Sequence, residues 1–420
     1  MNKKKIINDP VYGFIAIPSA LVFDLIQHPY FQRLRYIKQV SMTSMVYPGA
    51  VHTRFQHALG AMHLMGLAIE TLRGKEVAIS EEECKGAMIA ILLHDIGHGP
   101  FSHSLEYALV EGITHENISA LMMEELNAEF HGQLDLAIAI FRNLYPKRFL
   151  HQLVSGQLDT DRMDYLNRDS FFTGVSEGVI SFDRIIKMLN VANNELVVEE
   201  KGIYSVEKFL IARRLMYWQV YLHKTVLSSE QMLIKILHRA KWLTENGRRL
   251  FATPALAHFL MNRIDRKIFE SDKWHLIQFS RLDDTDIMAS VKVWMEDDDR
   301  ILSALCSQLI RRELYHVEMS SMPPTEEYLN GMRKKAMQLL EVNEAEVDYF
   351  VIKQMVENSA YDSNQGTIRI LMKNGAVKDI VEASDLSNLE VLSKKVQKYS
   401  VSYPKILRQM LAQTEYPESQ

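Results

Sequence analysis

The chain is long enough for more than one lobe, and its composition is that of a folded globular protein. It has 420 residues, of which 47% are hydrophobic and 24% are charged, and chains of this size usually divide into more than one core. A net charge of −5 argues against nucleic acid as the main partner, because duplex-binding proteins usually carry a basic surface. We therefore expect a folded protein that binds smaller ligands.

The sequence offers no membrane span, secretion signal or disulfide framework. The longest apolar run, residues 86–93, is far shorter than the roughly 20 residues that a membrane-spanning helix needs. Asn8, Asp9 and Pro10 interrupt the apolar stretch that would follow Lys3 to Lys5 in a signal peptide. The two cysteines, Cys84 and Cys306, form no CxxC pair and are predicted to be core residues. We expect a cytoplasmic protein.

The first part of the chain is predicted to be helical. Between residues 21 and 240, apolar residues recur at three- and four-residue spacing, most clearly in 55–72, 82–93 and 209–237. Neither an alternation of strands and helices nor a glycine-rich phosphate loop is present in the sequence, which excludes Rossmann and P-loop folds. We predict a helical core with an N-terminal arm at 1–240 and a helical extension at 241–325.

The pattern changes to short strands after residue 325. Residues 347–354 and 367–372 are rich in β-branched and aromatic residues, and Asn374-Gly375 predicts a hairpin turn before a strand at 377–381. The predicted fold class is therefore mainly α, with a small mixed α/β lobe at 326–420.

Histidines are concentrated in one stretch of the predicted core. They are His52, His57, His63, His94, His98, His103 and His115. The His94-Asp95 pair ends an apolar helix and is followed by Gly97 and Gly99. Adjacent helical side chains point about 100° apart, so both can bind one ion only near a helix end. A mixed imidazole and carboxylate set suits Mn(II), Fe(II), Ni(II) or Zn(II). This stretch is therefore a candidate metal site.

Two further segments carry polar side chains at helical spacing. Arg54 lies one turn before His57 on a helix that is otherwise mostly apolar. Asp161, Tyr165 and Asp169 are four residues apart and share one helix face. A hydrogen-bonded surface pair would explain His94-Asp95 alone, but these neighbouring segments favour a metal site.

These segments resemble the HD-domain phosphohydrolases, whose signature is a histidine, then His-Asp, then a distant aspartate, all binding one metal ion. The similarity is greatest to the dNTP triphosphohydrolase branch, typified by the animal enzyme with SAM and HD domains. It covers most of residues 1–240 in the same order, at 31–39, 47–50, 54–57, 94–103, 115–116, 161–169 and 221–224.

The resemblance implies a fold, a reaction and a metal. The helical core would be an HD domain, and the reaction would convert dNTPs to deoxynucleosides and tripolyphosphate. One divalent transition metal ion (Mn, Fe, Ni or Zn) would be bound, and Mg²⁺ is a further candidate, bound with the substrate phosphates. The implied metal ligands are His57, His94, Asp95 and Asp161.

Candidate catalytic and substrate-binding residues follow from the same resemblance. Histidine titrates near neutrality and suits a proton donor; the candidates are His98, His115 and His103, with Glu116 to orient a ring. Arg213, Tyr217, Tyr221 and Lys224 would form one band on a straight helix, which a half-buried amphipathic seam explains equally well without the resemblance. The predicted substrate-binding residues are Arg54, Gln39, Arg162, Tyr165, Asp169, Arg213, Tyr217, Tyr221 and Lys224. Arg54, Arg213 and Lys224 would bind phosphates, and Gln39, Tyr165, Asp169 and Tyr221 would face the sugar and reject ribonucleotides.

Two other functions and two other partners stay open. A phosphodiesterase or nuclease of the same superfold is an alternative, although the sequence lacks the Gly-Tyr-Pro signature of the cyclic-di-GMP branch. A non-catalytic nucleotide-sensing protein is another.

The resemblance implies a homo-oligomer, a dimer or tetramer, and an activating nucleotide as a candidate partner. Gln27 lies where the family carries a guanine-binding aspartate, and an amide cannot accept two N–H bonds as a carboxylate does. Activation by guanine is therefore not predicted.

Overall fold

A computed structural model describes residues 5–358, 361, 366–385 and 395–408, without the side chains of residues 103, 106 and 107. His103, a candidate proton donor, thus has a side chain outside the described part. The α-helices up to residue 245 are α1 (Ala20–Gln27), α2 (Pro29–Gln32), α3 (Arg54–Gly74), α4 (Glu81–Leu93), α5 (Glu106–Leu109), α6 (His115–Glu129), α7 (Asp135–Phe141), α8 (Arg148–Val154), α9 (Thr160–Thr173), α10 (Phe182–Met188), α11 (Ile203–Met216) and α12 (Lys224–Glu245).

Helices continue beyond residue 245, and short strands are scattered along the chain. The later helices are α13 (Pro254–Met261), α14 (Arg266–Ser271), α15 (Lys273–Phe279), α16 (Asp284–Trp294), α17 (Arg300–Ile310), α18 (Glu326–Leu340) and α19 (Ile380–Ala383). The strands are β1 (Ile6–Asp9), β2 (Gly13–Ala16), β3 (Leu189–Ala192), β4 (Glu195–Glu199), β5 (His316–Ser320), β6 (Ile352–Asn358), β7 (Arg369–Leu371), β8 (Val377–Asp379) and β9 (Val396–Tyr403). The predicted class, mainly α with a small strand-containing lobe, is confirmed.

The described strands form three small sheets. β1 and β2 make an antiparallel hairpin, and β9 pairs with β5 and β6 in an antiparallel sheet. In the third sheet, of order β3-β4-β7-β8, β4 pairs with β7 in parallel. One sheet therefore combines strands from before residue 240 and after residue 326, and the division into three domains stays a prediction.

Helices α3, α4 and α9 form the scaffold of the candidate site. Ser80 and Glu83 make reciprocal side-chain to backbone bonds at the start of α4, which satisfies N–H groups that a helix start leaves unpaired. Apolar residues on every side of α3 are buried in the main core. A helix that is buried all round holds its polar side chains rigidly, because they cannot move without disturbing the core.

Two predicted helices are confirmed, and one is wrong. The predictions at 55–72 and 82–93 correspond to α3 and α4. The continuous helix predicted at 209–237 ends at Met216, passes through a π-helical turn at Tyr217–Tyr221, and restarts as α12. His223 has an extended backbone, and its ring accepts a hydrogen bond from the N–H of Thr225. The ring therefore caps the start of a new helix. The apolar spacing continues across this position, which is why the sequence predicted one helix instead of two.

Strands were predicted less accurately than helices. The β1-β2 and β3-β4 hairpins lie in the part predicted to be an arm and helices. Residues 347–349 form a 3₁₀ turn rather than a strand, and β6 extends to Asn358 instead. The chain enters α19 at Ile380, before the predicted strand ends. The turn at Asn374-Gly375 is confirmed, because it joins the antiparallel strands β7 and β8 and Gly375 has a φ of +83°.

The cysteine and membrane predictions agree with the described residues. Cys306 is buried, Cys84 is partly buried, and neither forms a disulfide. In the described ranges, no helix combines the length and apolar character that crossing a bilayer requires.

Candidate active site

The four predicted metal ligands lie together where α3, the end of α4 and the start of α9 meet. Nε2 of His57 lies 3.1 Å from Oδ1 of Asp161, and Nε2 of His94 lies 3.5 Å from the same oxygen. Asp95 completes the group, with Oδ2 3.6 Å from His57 Nε2 and Oδ1 3.3 Å from His94 Nε2. Two imidazole nitrogens and two carboxylates thus converge on one volume.

His94 and Asp95 reach this volume because α4 ends just before them. α4 ends at Leu93, and Nδ1 of His94 donates a hydrogen bond to the Ile91 carbonyl at 2.5 Å. The Ser119 hydroxyl donates to the His94 carbonyl at 2.7 Å and accepts from the Gly97 N–H at 2.9 Å. A Cβ at Gly97 would lie 2.3 Å from backbone atoms of α6. The glycine therefore allows α6 to pack against the turn that presents both ligands.

His57 is held from behind by a buried ion-pair network. Its Nδ1 donates to Oδ2 of Asp164 at 2.7 Å, which leaves the Nε2 lone pair facing the other ligands. Arg168 donates to both oxygens of Asp164 at 2.9 and 3.0 Å and to Asp9 of β1 at 2.8 Å. Asp164 and Arg168 are fully buried. This network fixes the orientation of the His57 ring.

The donor set fits a divalent metal ion. Nε2 of His57 and Nε2 of His94 are buried, and neither makes a hydrogen bond of normal geometry to a described residue. Burial lowers the pKa of His57, but Asp161 and Asp164 outweigh burial and raise it to about 10. The cluster therefore favours a positive charge between its carboxylates. Unpartnered imidazole nitrogens beside carboxylates are the ligands that transition metals of the Mn to Zn series bind.

Arg54 links the metal cluster to the adjoining cavity. Its guanidinium forms a hydrogen-bonded ion pair with Asp95 and donates from Nε to the Ser102 hydroxyl at 2.7 Å. Ser41 and Ser102 have φ values of 45° and 53°. Residues other than glycine rarely adopt this backbone conformation. Strained backbone of this kind is frequent at functional sites.

His98 and His115 lie beside Asp95 as a stacked pair. Their ring centroids are 3.8 Å apart with an interplanar angle of 17°, and Nε2 of His98 lies 3.3 Å from Oδ1 of Asp95. Burial, followed by the Arg54 charge, lowers the pKa of His98 well below its usual value. Glu116 is exposed, and its carboxylate is 3.8 Å from His115 Nε2, beyond hydrogen-bond distance. Two of the predicted catalytic histidines therefore reach the cluster, but Glu116 does not hydrogen-bond to either.

A cavity of about 440 Å³ opens onto this cluster. Its lining includes six of the nine predicted substrate-binding residues, two of the predicted catalytic histidines and two of the predicted metal ligands, together with parts of α12 and β6. The predicted residues that line it are Gln39, Arg54, Asp95, His98, His115, Asp161, Tyr165, Asp169, Tyr217 and Tyr221. A cavity of this size is typical of a small-molecule site.

The residues expected at the sugar form a connected group. Asp169 accepts from the Tyr221 hydroxyl at 2.6 Å through one oxygen and from Nε2 of His52 at 2.7 Å through the other. His52 is buried and stacks on Phe172. The Oε1 atom of Gln39 is buried without a hydrogen-bond partner among the described residues. Asp169 and Tyr221 are thus held rigidly at the cavity wall, and Gln39 keeps an unused acceptor.

The straight helix that was predicted to carry the cationic band is broken in the structure. Because the helix breaks at the π-helical turn, Lys224 is the exposed first residue of α12 and does not line the cavity. Arg213 is buried and donates to Gln157 at 3.1 Å, and Arg162 pairs with Asp159 at 3.2 Å. None of the three lines the cavity. Among the three cations predicted to bind phosphate, Arg54 is the one that lines this cavity and lies at the metal cluster.

Several residues of the site were not assigned a role from the sequence. Asp164, Arg168 and His52 lie within segments that the sequence singled out, but their roles depend on contacts with distant residues. The local signals were the dense charges of 159–169 and the histidine cluster itself. The cavity-lining residues Ser41, Ser104, Glu230 and Gln354 carried no local signal.

Comparisons with known proteins agree with this architecture. A family model described as the HD domain matches residues 54–169, and a model described as the HD associated region matches residues 180–248. A phosphohydrolase (BT4208) from Bacteroides thetaiotaomicron, solved by crystallography, is 53% identical, has a TM-score of 0.92, and is matched over 96% of this chain and 100% of its own.

Two relatives show how far the similarity extends. The uncharacterized protein YwfO of Bacillus subtilis is 32% identical over 100% of this chain and 96% of its own length. Human SAMHD1, a deoxynucleoside triphosphate triphosphohydrolase, is 33% identical over 52% of this chain and 42% of its own length. The chain therefore spans less than half of SAMHD1. From the matched HD domain, the full-length relatives and the shared fold, we conclude that this chain belongs to the HD-domain phosphohydrolases and has a core similar to that of SAMHD1.

Proposed function

We propose that this protein hydrolyses deoxynucleoside triphosphates to deoxynucleosides and tripolyphosphate, with one divalent metal ion held by His57, His94, Asp95 and Asp161. The observation that carries the proposal is the convergence of these four side chains, with two unpartnered imidazole nitrogens, at the floor of a cavity large enough for a nucleotide. The similarity of the core to SAMHD1 supports the dNTP substrate.

The residues around the cluster suit a phosphate ester. A divalent ion bound here supplies Lewis-acid chemistry, which stabilises negative charge as it builds up on a phosphate. Mn(II), Fe(II), Ni(II) and Zn(II) all suit the donor set, and Mg²⁺ is a candidate for the outer phosphates. Arg54, fixed by Asp95 and Ser102, points its guanidinium at the same volume and would bind a phosphate oxygen. His115 would protonate the leaving 5′ oxygen, with His98 stacked against it to hold the ring.

The sugar would contact the rigid group at the cavity wall. Tyr221 and Asp169 are joined by a hydrogen bond, and Tyr165 lines the cavity next to them. An aromatic ring packed against C2′ leaves no room for a ribose 2′-hydroxyl. The Asp169 carboxylate already accepts hydrogen bonds from Tyr221 and His52, so it is poorly placed to bind an added hydroxyl. We therefore propose that the site prefers deoxynucleotides to ribonucleotides.

Turnover with a panel of nucleotides tests the proposal. Purified protein with Mn(II) is incubated with each dNTP and NTP, singly and in pairs, and nucleosides are separated by chromatography. We expect deoxynucleoside release that exceeds nucleoside release from the matching NTP. Failure to release nucleoside from any dNTP, singly or in pairs, would contradict the proposal. Pairwise mixtures also reveal an activating nucleotide, and sedimentation of the same samples tests the expected dimer or tetramer.

A further inference from the structure

Part of the cavity lining consists of polar groups that the proposed phosphate chemistry does not use. We call this part the acceptor wall, and it consists of Ser41, Ser104, Glu230 and Gln354. All four line the cavity that also contains Arg54 and Asp95. Glu230 belongs to α12 and Gln354 to β6, so the wall is assembled from the helical core and the C-terminal strands.

Glu230 has hydrogen-bonding capacity that the protein does not use up. Its side chain hydrogen-bonds to Ser41 and Ser104, whose hydroxyl oxygens lie 2.7 Å apart. Burial raises the pKa of Glu230 to about 7, so an ionised form is available at neutral pH. A carboxylate offers about four lone-pair positions, and the hydroxyls of Ser41 and Ser104, which also hydrogen-bond to each other, occupy at most two of them. The carboxylate therefore remains an acceptor for a ligand.

Gln354 contributes an acceptor without a partner. Side chains alternate along β6, so that Ile352, Gln354 and Val356 face inward while Met355 is 51% exposed on the other face. The Oε1 atom of Gln354 is buried and has no hydrogen-bond partner among the described residues. Leaving a buried acceptor unpaired is unfavourable, and an N–H donor on a ligand in the cavity would remove this cost.

The charges of the lining determine which part of a nucleotide meets the acceptor wall. Among the described lining residues, Arg54 carries the one fixed positive charge, and it lies against Asp95. The carboxylate of Glu230 would repel phosphate. A bound nucleotide therefore places its phosphates at Arg54 and the metal ligands, and the base is the part left for the acceptor wall.

We propose that Glu230 and Gln354 are specificity-determining residues that bind the pairing edge of a guanine base. This inference rests on the proposed dNTP hydrolysis for the orientation of the nucleotide. Guanine presents its N1–H and its 2-amino group side by side, and a carboxylate can accept from both. Adenine and cytosine place an acceptor nitrogen beside a single amino group, and thymine places one N–H between two carbonyl oxygens. Each of these edges would place an acceptor atom of the base opposite the acceptor oxygens of Glu230 or Gln354.

Binding of non-hydrolysable nucleotides tests the inference without depending on turnover. The probes are the 5′-methylenephosphonate analogues of dGTP and dTTP, in which carbon replaces the leaving 5′ oxygen, titrated calorimetrically into the whole protein with Mn(II). We expect the guanine analogue to bind at least about tenfold more tightly than the thymine analogue, because it gains a hydrogen bond to a charged group. In Glu230→Gln, one acceptor oxygen becomes a donor, and we expect the guanine analogue to lose roughly tenfold to hundredfold in affinity.

Matched variants separate recognition from general damage. Glu245→Gln makes the same charge change at the exposed end of α12 and should leave both affinities unchanged. Gln354→Ala should weaken the guanine analogue by roughly threefold to tenfold, whereas Met355→Ala, on the outer face of β6, should not. Thermal melting of each variant verifies that it folds.

The outcomes distinguish this inference from the proposed function. Equal affinities of the wild-type protein for the two analogues, binding of neither, or a Glu230→Gln variant that weakens both alike would overturn the inference. Guanine-selective binding without hydrolysis of any dNTP, singly or in pairs, would support the inference and overturn the proposed function.

Discussion

The two parts of the cavity lining are built differently. At the metal cluster, each histidine predicted to be a ligand is backed by a fixed partner: Asp164 behind His57 and the Ile91 carbonyl behind His94. The acceptor wall comes from separate segments, and the Oε1 atom of Gln354 has no such partner among the described residues. The difference supports the proposal that the fold fixes the reacting end before substrate arrives, while the acceptor wall leaves acceptors for the ligand to satisfy.

Removing a metal ligand should have the largest effect. His94→Ala and Asp95→Ala each delete a donor from the cluster, and we expect loss of bound metal and a fall in kcat of about a thousandfold or more, equivalent to ~4 kcal/mol. Metal analysis after dialysis and turnover measurements check this. His63→Ala, which changes a histidine of α3 outside the cluster, is the control. Unchanged metal content in both ligand variants would show that the ligands are assigned wrongly.

The residue behind His57 should matter next. Asp164→Asn keeps the size of the side chain but weakens its hold on the His57 ring, and outer partners of metal ligands typically contribute about tenfold to hundredfold in metal affinity. Titration of metal-free protein with Mn(II), followed by electron paramagnetic resonance, measures the change. Asp183→Asn, at the exposed start of α10, makes the same charge change elsewhere. An affinity equal to that of this control would mean that the network does not support the metal.

The packing of the same network can be tested with a pair of glycines in α3. A Cβ at Gly60 would lie 2.0 Å from Asp164 Oδ1 and 2.2 Å from Arg168 Nη2, whereas one at Gly66 would meet only the end of Met88 at 3.4 Å. We expect Gly60→Ala to reduce the free energy of unfolding by about 1–3 kcal/mol and Gly66→Ala to raise it by about 0.5–1 kcal/mol. Urea unfolding of both variants gives the answer. A Gly60→Ala protein as stable as wild type would contradict the rigid packing.

The smallest effect is expected at Lys224. Because it is exposed outside the cavity lining, Lys224→Ala should change KM for a dNTP by less than about threefold, as expected for an exposed charge. Steady-state kinetics at two salt concentrations measure this. A tenfold or larger rise in KM would show that the helix break brings Lys224 to the phosphates after all.

The convergence of His57, His94, Asp95 and Asp161 was expected from the sequence, because local signals mark their segments and the resemblance to the HD family implies the set of four. His94-Asp95 lies at a helix end marked by glycines, and Asp161 lies in a dense run of carboxylates. The supporting residues could not be predicted. Arg168 pairs with Asp9, which is 159 residues away in sequence, and the residues around either position give no sign of this contact. The direction of Gln354 depends on the pairing of β6 with β9, which a pattern of β-branched residues does not reveal.

The straight helix assumed for the cationic band was wrong for a different physical reason. Apolar periodicity continues through the π-helical turn, so the spacing of Arg213 and Lys224 fits a straight helix. The break is made by the ring of His223, which caps α12, and histidine is not a usual helix-capping residue. Helix content was therefore predictable, but the relative direction of two consecutive helices was not.

Titration of metal into metal-free protein tests the central claim most directly. Protein stripped with a chelator is given Mn(II) in steps in the presence of a dNTP, and the phosphate products are identified by ³¹P nuclear magnetic resonance after the metal is removed. We predict that activity is absent at the start, rises to a plateau at one ion per chain, and yields tripolyphosphate. Hydrolysis by metal-free protein, or products other than tripolyphosphate at the plateau, would contradict the account.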